Sequence, residues 1–285
     1  MLTAASAEMP LLVFSILVPA GLVALGLTGL LRGLAEGEAN AKKLDTLALI
    51  PAVVVLVGLA ASVFHLGSPA HMLGMFAGLG SSPLSNEIAC AGLSIAVAAV
   101  YVVFALVKHP GAGAHKGFGI ALLVLGLATA VMTGLAYAIR TIPTWDGAFG
   151  WAGQLCLALL AGSALAALML AAGNAFGKKA TNVLAACAVV GGIGVIAVVF
   201  AQGSVASSVT SSAGATLSAL MGDYTTFAAI GSVFAAIAAG CTAACGRVKV
   251  SLTVLTAVAV ACAIVAAVLV LLRDLPDGRP GIALS

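Results

Sequence analysis

Two side chains in this 285-residue protein combine acid–base capacity with an unusual setting, His65 and Glu87. They bracket a glycine-rich stretch, HLGSPAHMLGMFAGLGSSPLSNE, that separates two long apolar runs and contains no lysine or arginine. A neutral imidazole and a carboxylate both accept protons near neutral pH. A carboxylate beside hydrocarbon is costly and usually has a partner or a task. Each residue also has a plainer reading. His65 ends an apolar run, where it can cap the last carbonyls of a helix. Glu87 follows Ser85 and Asn86, either of which can act as N-cap, so its carboxylate can sit in a first turn facing the helix dipole. From the residues alone, both readings stand.

The elements that must position this pair are membrane spans. Of all residues 62% are hydrophobic and only 7% are charged. A soluble domain carries roughly 25% charged residues, so this sequence cannot cover a water-facing surface. A span needs about 20 apolar residues, and eight runs qualify: Met9–Leu31, Thr46–Phe64, Leu84–Val107, Phe118–Ile139, Gly150–Ala172, Val183–Ala201, Thr225–Ala244 and Val250–Leu272. The connections are short. The expected fold is therefore an all-α integral membrane protein, one bundle of eight transmembrane helices forming a single domain over residues 1–285. Alanine and glycine dominate, and small residues let such helices approach closely, with Gly29 and Gly33 as one candidate contact. The leading segment MLTAASAEMP has no basic stretch and reads as the approach to a first span, not as a cleaved signal.

Lysines and arginines sort the loops. Arg32, Lys42, Lys43, Lys108, Lys116, Lys178, Lys179, Arg247 and Lys249 fall in odd-numbered loops, leaving Arg140, Arg273 and Arg279 for the other side. Nine against three puts the odd loops in the cytoplasm and both termini outside, on the periplasmic side. His65, Glu87, Arg140, Tyr137, Trp145 and Trp151 then share the outer face. The cytoplasmic loops read as short, basic and generic, with His109 and His115 as solvated loop residues.

The remaining polar residues exclude more than they assign. With no span interior read as containing a histidine, the axial ligands of a b-type haem are missing. No ionisable residue falls near the middle of a span, which disfavours an ion-coupled transporter. Breaks could fall at Pro19 or at Gly191, Gly192 and Gly194, but without accompanying charge these read as packing contacts. Cys90, Cys156, Cys187, Cys241, Cys245 and Cys262 all lie in apolar runs with no CxxC, as small packing residues. The net charge of +3 gives no reason to expect nucleic acid.

HLGSP at His65–Pro69 and SSPLSNEI at Ser81–Ile88 closely resemble the membrane-anchor subunits of bacterial dimethyl sulfoxide reductases, the DmsC-like family. YAIRTIPTW at Tyr137–Trp145 and the polar segment Gln202–Tyr224 agree in order and spacing. The resemblance runs from the first span to about Tyr224. It implies a haem-free anchor in the bacterial inner membrane that oxidises menaquinol from the quinone pool. It also implies two partners on the outer face: an iron–sulfur subunit with four [4Fe-4S] clusters and a molybdopterin catalytic subunit. His65 and Glu87 take the positions tied to quinol oxidation in that family, with Gly67, Ser85, Asn86 and Arg140 as further quinol-binding candidates. Two departures are visible: the last segment, RDLPDGRPGIALS, is unlike relatives, and the seventh span has no arginine. A related polysulfide-reductase (NrfD-like) anchor, a secondary transporter and a purely structural anchor are the competing expectations.

The implied chemistry suits the residues. Oxidising a quinol releases two electrons and two protons, so each hydroxyl needs a proton acceptor. The ring arrives from lipid while protons leave to water, which favours the membrane edge. Glycines in the hinge let a flat ring approach the backbone, and Met72, Leu73, Met75 and Phe76 supply an apolar lining.

Overall fold

The computed structural model describes residues 2–35, 37–65, 74, 77–138, 148–208, 224–248 and 250–272, with only the backbone of 2–8, 64–65 and 206–208. Among them are nine helices: α1 (Leu2–Arg32), α2 (Glu38–Leu47), α3 (Leu49–His65), α4 (Pro83–Lys108), α5 (Ala112–Ala136), α6 (Ala148–Ala172), α7 (Lys178–Ser208), α8 (Tyr224–Ala244) and α9 (Leu252–Leu272). Eight stretches are long and apolar enough to cross a membrane, the second made of α2 and α3 together. The described residues hold helices and short turns, with no strand among them.

The division between α2 and α3 has a local cause. Ala48 caps α2, its N–H bonding back to Leu44, and Pro51 has no N–H to continue the ladder and crowds the preceding turn. Pro10 and Pro19 act differently, because α1 runs through both without a break. The segment before Thr46, read as loop, is the helix α2, held partly by the Glu38–Lys42 pair at 2.9 Å across one turn. Similarly, α7 continues past Ala201 to Ser208, so the first residues of the expected outer loop belong to a helix.

α1 and α6 form the centre of the bundle. Val18, Leu22, Val23, Ala24 and Leu25 on α1, and Leu160, Ala164, Ala166, Ala167 and Leu170 on α6, have no exposed surface. The two helices meet where Gly162 faces Val23; a Cβ there would lie 2.5 Å from Val23 Cγ1. One apolar cluster joins α1 to α3, α4 and α5, and another joins α6 to α7, α8 and α9. The outward faces carry Val103, Val107, Val124, Ile193 and Phe200, all more than half exposed. Apolar side chains turned outward on a ring of spans meet lipid, so this burial pattern needs no hydrophobic drive between helices.

Glycine sets the closest crossings. On α1 these are Gly21, which faces Val55 and Pro51 of α3, and Gly26 and Gly29, which face Leu123 and Gly119 of α5. Gly33, expected as Gly29's partner, meets nothing nearer than the Ala112 Cβ at 3.6 Å. Gly191 lies against Leu160, Gly194 against Cys156 and Gly192 against Ala239, so the three glycines of α7 are the packing contacts expected of them.

Candidate functional site

α4 begins with a built N-terminus. Ser82 is the N-cap, its Oγ accepting from Ser85 N–H at 3.5 Å, and Pro83 occupies the first helical position. The segment leading in folds back on this turn. Ser82 N–H donates to Gly78 O at 2.8 Å, and Gly80, at φ +83°, donates its N–H to Asn86 Oδ1 at 2.7 Å. Gly78 packs so tightly on Ser85 that a Cβ would sit 2.7 Å from Ser85 Oγ. Ser85 and Asn86, expected as quinol contacts, are thus engaged in shaping this turn, and neither is the cap.

That register moves Glu87 out of the first turn, which holds no acidic residue. Glu87 lies in the second turn at 3% exposure, facing the interior, so the dipole-and-cap reading does not describe it. It lies on the buried stripe of α4 with Ala91, Ser94, Ala98, Tyr101 and Ala105, which meets α5 at Thr133, Thr129 and His115. Thr133 reaches toward the Glu87 carboxylate closely enough to interact with it. Even so, Glu87 Oε1 and Thr133 Oγ1 are both buried without a hydrogen-bond partner among the described residues. One turn deeper the polar groups are satisfied. Ser94 and Thr129 hydroxyls pair at 3.0 Å, Thr129 donates to Leu125 O at 2.8 Å, and Cys90 Sγ lies 3.6 Å from Thr129 Oγ1.

His65 is the last residue of α3, at the same end of the bundle as the start of α4. Its side chain, Gly67 and Arg140 lie outside the described residues, as do Thr141–Trp145, most of Gln202–Tyr224 and the last segment from Arg273.

The position of Thr133 depends on its neighbour. Gly134 lies directly against the Trp151 backbone of α6, where an added Cβ would overlap the main chain. Gly134→Val should therefore push α5 off α6 at this level and carry Thr133 away from Glu87. Overpacking of this kind costs about 1–3 kcal/mol. The expected outcome is a lower unfolding temperature in detergent.

The opposite end is anything but generic. Asp45, at 2% exposure, receives a two-point ion pair from Arg32, with Nε to Oδ1 at 2.7 Å and Nη2 to Oδ2 at 2.8 Å. His115, expected to be solvated, is fully buried in the first turn of α5. Its Nδ1 pairs with Tyr101 Oη at 3.1 Å, and its Nε2 points at Asp45 Oδ1 from 3.5 Å without closing a hydrogen bond. His109 Nδ1 stands 3.7 Å from Asp45 Oδ2. Sequence reasoning never singled out Asp45. The available signals were its place just before an apolar run and the spacing of His115 with Gly119, Leu122 and Gly126 on one helical face. Between this group and Glu87, Ala91, Ala98 and Leu122 fill the interface as part of an apolar cluster. The two polar ends are separate.

A family model, that of the DMSO reductase anchor subunit (DmsC), matches residues 2–275. The protein belongs to this family. Among relatives of DmsC type, it is 29% identical over 218 residues to the anaerobic dimethyl sulfoxide reductase chain YnfH of Escherichia coli (strain K12), covering 76% of this protein and 75% of the relative. It is 31% identical over 169 residues to the C subunit of anaerobic dimethyl sulfoxide reductase from the same organism, covering 57% and 58%. It is 26% identical over 156 residues to the corresponding C subunit of Haemophilus influenzae (strain ATCC 51907 / DSM 11121 / KW20 / Rd), covering 53% and 55%. The match thus spans three-quarters of the first relative and somewhat over half of the other two. As a DmsC-family protein with eight spanning segments, it is a multi-pass membrane anchor of a dimethyl sulfoxide reductase complex, a role that implies catalytic and iron–sulfur partner subunits.

Proposed function

We propose that this anchor binds menaquinol at the Glu87 end of the bundle, oxidises it there, and passes the electrons to an iron–sulfur subunit docked over that end. The observation that carries the reading is Glu87 itself, a carboxylate at 3% exposure, one turn inside a span, with an oxygen unpaired among the described residues. Burying such a group unpaired is expensive, and a quinol hydroxyl supplies the missing donor. Each hydroxyl gives up one proton and the ring gives up two electrons. Glu87 accepts one proton, and His65 at the adjoining end of α3 is assigned the other. Gly67 and Arg140 are assigned to the headgroup. Ser85 and Asn86 contribute by holding the turn that aims Glu87.

Inward from Glu87 the Ser94–Thr129 pair is followed by Ala98 and Leu122 of an apolar cluster, which lie between these polar groups and the Arg32–Asp45 end. The protons therefore leave on the side where they are released. The positive excess at the far end supports an outer, periplasmic location for Glu87 and both termini, in the bacterial inner membrane. The partners in this reading are a subunit with four [4Fe-4S] clusters and a molybdopterin catalytic subunit, and the anchor carries no haem.

Purification from native membranes in mild detergent tests this. Molybdenum and iron are expected to copurify with the anchor without haem absorbance, and a short-tailed menaquinol should reduce the iron–sulfur clusters. An anchor that emerges alone and metal-free, under conditions that keep other membrane complexes intact, would overturn the reading, and substrate uptake into vesicles would be measured next.

A further inference from the structure

Two of the four buried side-chain polar atoms that lack a partner among the described residues, Glu87 Oε1 and Thr133 Oγ1, occur at one place between α4 and α5. Thr133 also breaks a local habit. Hydroxyls on these helices mostly bond back to the carbonyl four residues earlier, as in Thr129 to Leu125, Thr181 to Gly177, Thr242 to Ala238 and Thr256 to Leu252. Thr133 makes no such bond, although it is fully buried. A hydroxyl that gives up its own backbone acceptor inside a membrane protein remains costly until something else pairs with it. The neighbouring carboxylate has the complementary deficit: it lacks a donor, and although Thr133 stands close enough to interact, no hydrogen bond closes between them. One third group, able both to donate and to accept, satisfies both.

We propose that Thr133 is the second polar contact for the quinol headgroup. One quinol hydroxyl donates its hydrogen bond to Glu87 Oε1 and accepts one from Thr133 Oγ1. The inference rests on the quinol reading above and adds a residue from a different helix, which the motifs around His65 and Glu87 do not contain. A carboxylate alone would hold any donor. The pair demands a donor–acceptor group, and a quinol hydroxyl fits that demand where the quinone carbonyl does not. Thr133 is therefore a binding residue that favours the reduced ring. Its helix is fixed in depth by the contact between Gly134 and Trp151.

The test uses the assembled complex in membranes, with concentrations normalised to bound iron and a short-tailed menaquinol as substrate. Thr133→Val keeps the shape and removes the hydroxyl, and Thr133→Ser keeps the hydroxyl. Thr133→Val is expected to raise the KM for quinol about tenfold, the effect of losing one hydrogen bond in a buried site. Its kcat should change little, and Thr133→Ser should restore the KM. Activity driven by a reduced dye that feeds the soluble partners directly should be unchanged in both. An unaltered KM in Thr133→Val overturns the inference. So does equal impairment of the Val and Ser variants, which would mark a packing role. Glu87→Gln measured in parallel separates the two levels. If it is impaired while Thr133→Val is normal, only the Thr133 contact falls. If Glu87→Gln is normal in both kcat and KM, the quinol reading falls as well.

Discussion

Glu87→Gln should slow quinol-driven turnover by at least about a hundredfold, the lower end of what a positioned proton acceptor contributes, while leaving assembly intact. The amide matches the carboxylate in size and can still accept a hydrogen bond, but it cannot take the proton. The stability side of the same substitution points the other way. Glu87 is buried at 3% exposure with Oε1 unpaired among the described residues, so a neutral amide removes a desolvation cost. The variant should unfold in detergent at the same temperature as the parent or a higher one. Loss of activity with equal or greater stability is the signature of a residue retained for chemistry. Measuring quinol-driven and dye-driven rates on the same membranes, with a thermal unfolding curve on the purified complex, checks it. Equal quinol-driven rates in the two proteins would remove Glu87 from the mechanism.

Asp45→Ala should have the reverse profile. Asp45 receives both arms of the Arg32 guanidinium at 2.7 and 2.8 Å, and the Arg32 side chain is only 12% exposed. Deleting one member of a buried pair strands the other, at a cost of about 3–5 kcal/mol. Here the stranded groups are Arg32 on α1 and the buried His115 on α5, so the end where α1, α2 and the α4–α5 connection meet should loosen together. The expected result is a large drop in membrane-inserted protein and in unfolding temperature. Whatever complex still assembles should keep a normal KM for quinol, because Ala91, Ala98 and Leu122 separate this end from Glu87. Arg32→Lys is expected to be intermediate, since an ammonium keeps the charge but loses the two-point geometry. An unfolding temperature unchanged in Asp45→Ala would show that the pair does not hold this end together.

The contrast between these two carboxylates bounds what could be read before the fold was known. Composition alone decides that the protein lives in a membrane, because too few charged residues exist to cover a surface in water. Runs of apolar residues decide how many times it crosses, since the bilayer sets a length that hydropathy along one dimension can count. Lysine and arginine placement separates the two ends of the bundle. HLGSP and LSNE direct attention to Glu87, and the comparison with DmsC relatives agrees on the family those residues indicated.

Partnership across helices was not legible in this way. Glu87 and Thr133 stand on different helices, far apart in sequence, and their meeting depends on the rotation of α4 and α5 about their axes. That rotation follows from where small residues let backbones close, at Gly26, Gly29, Gly119 and Gly134, and a hydropathy profile carries no such angle. His115 looked like a loop residue because α5 begins at Ala112, well before the apolar run does, and its Tyr101 and Asp45 partners come from two other helices. The engagement of Asn86 with Gly80 was equally hidden, because it requires the left-handed turn at that glycine. One-dimensional pattern determined the spans. Only tertiary packing decided which buried polar atoms are satisfied and which, like Glu87 Oε1 and Thr133 Oγ1, have no hydrogen-bond partner among the described residues.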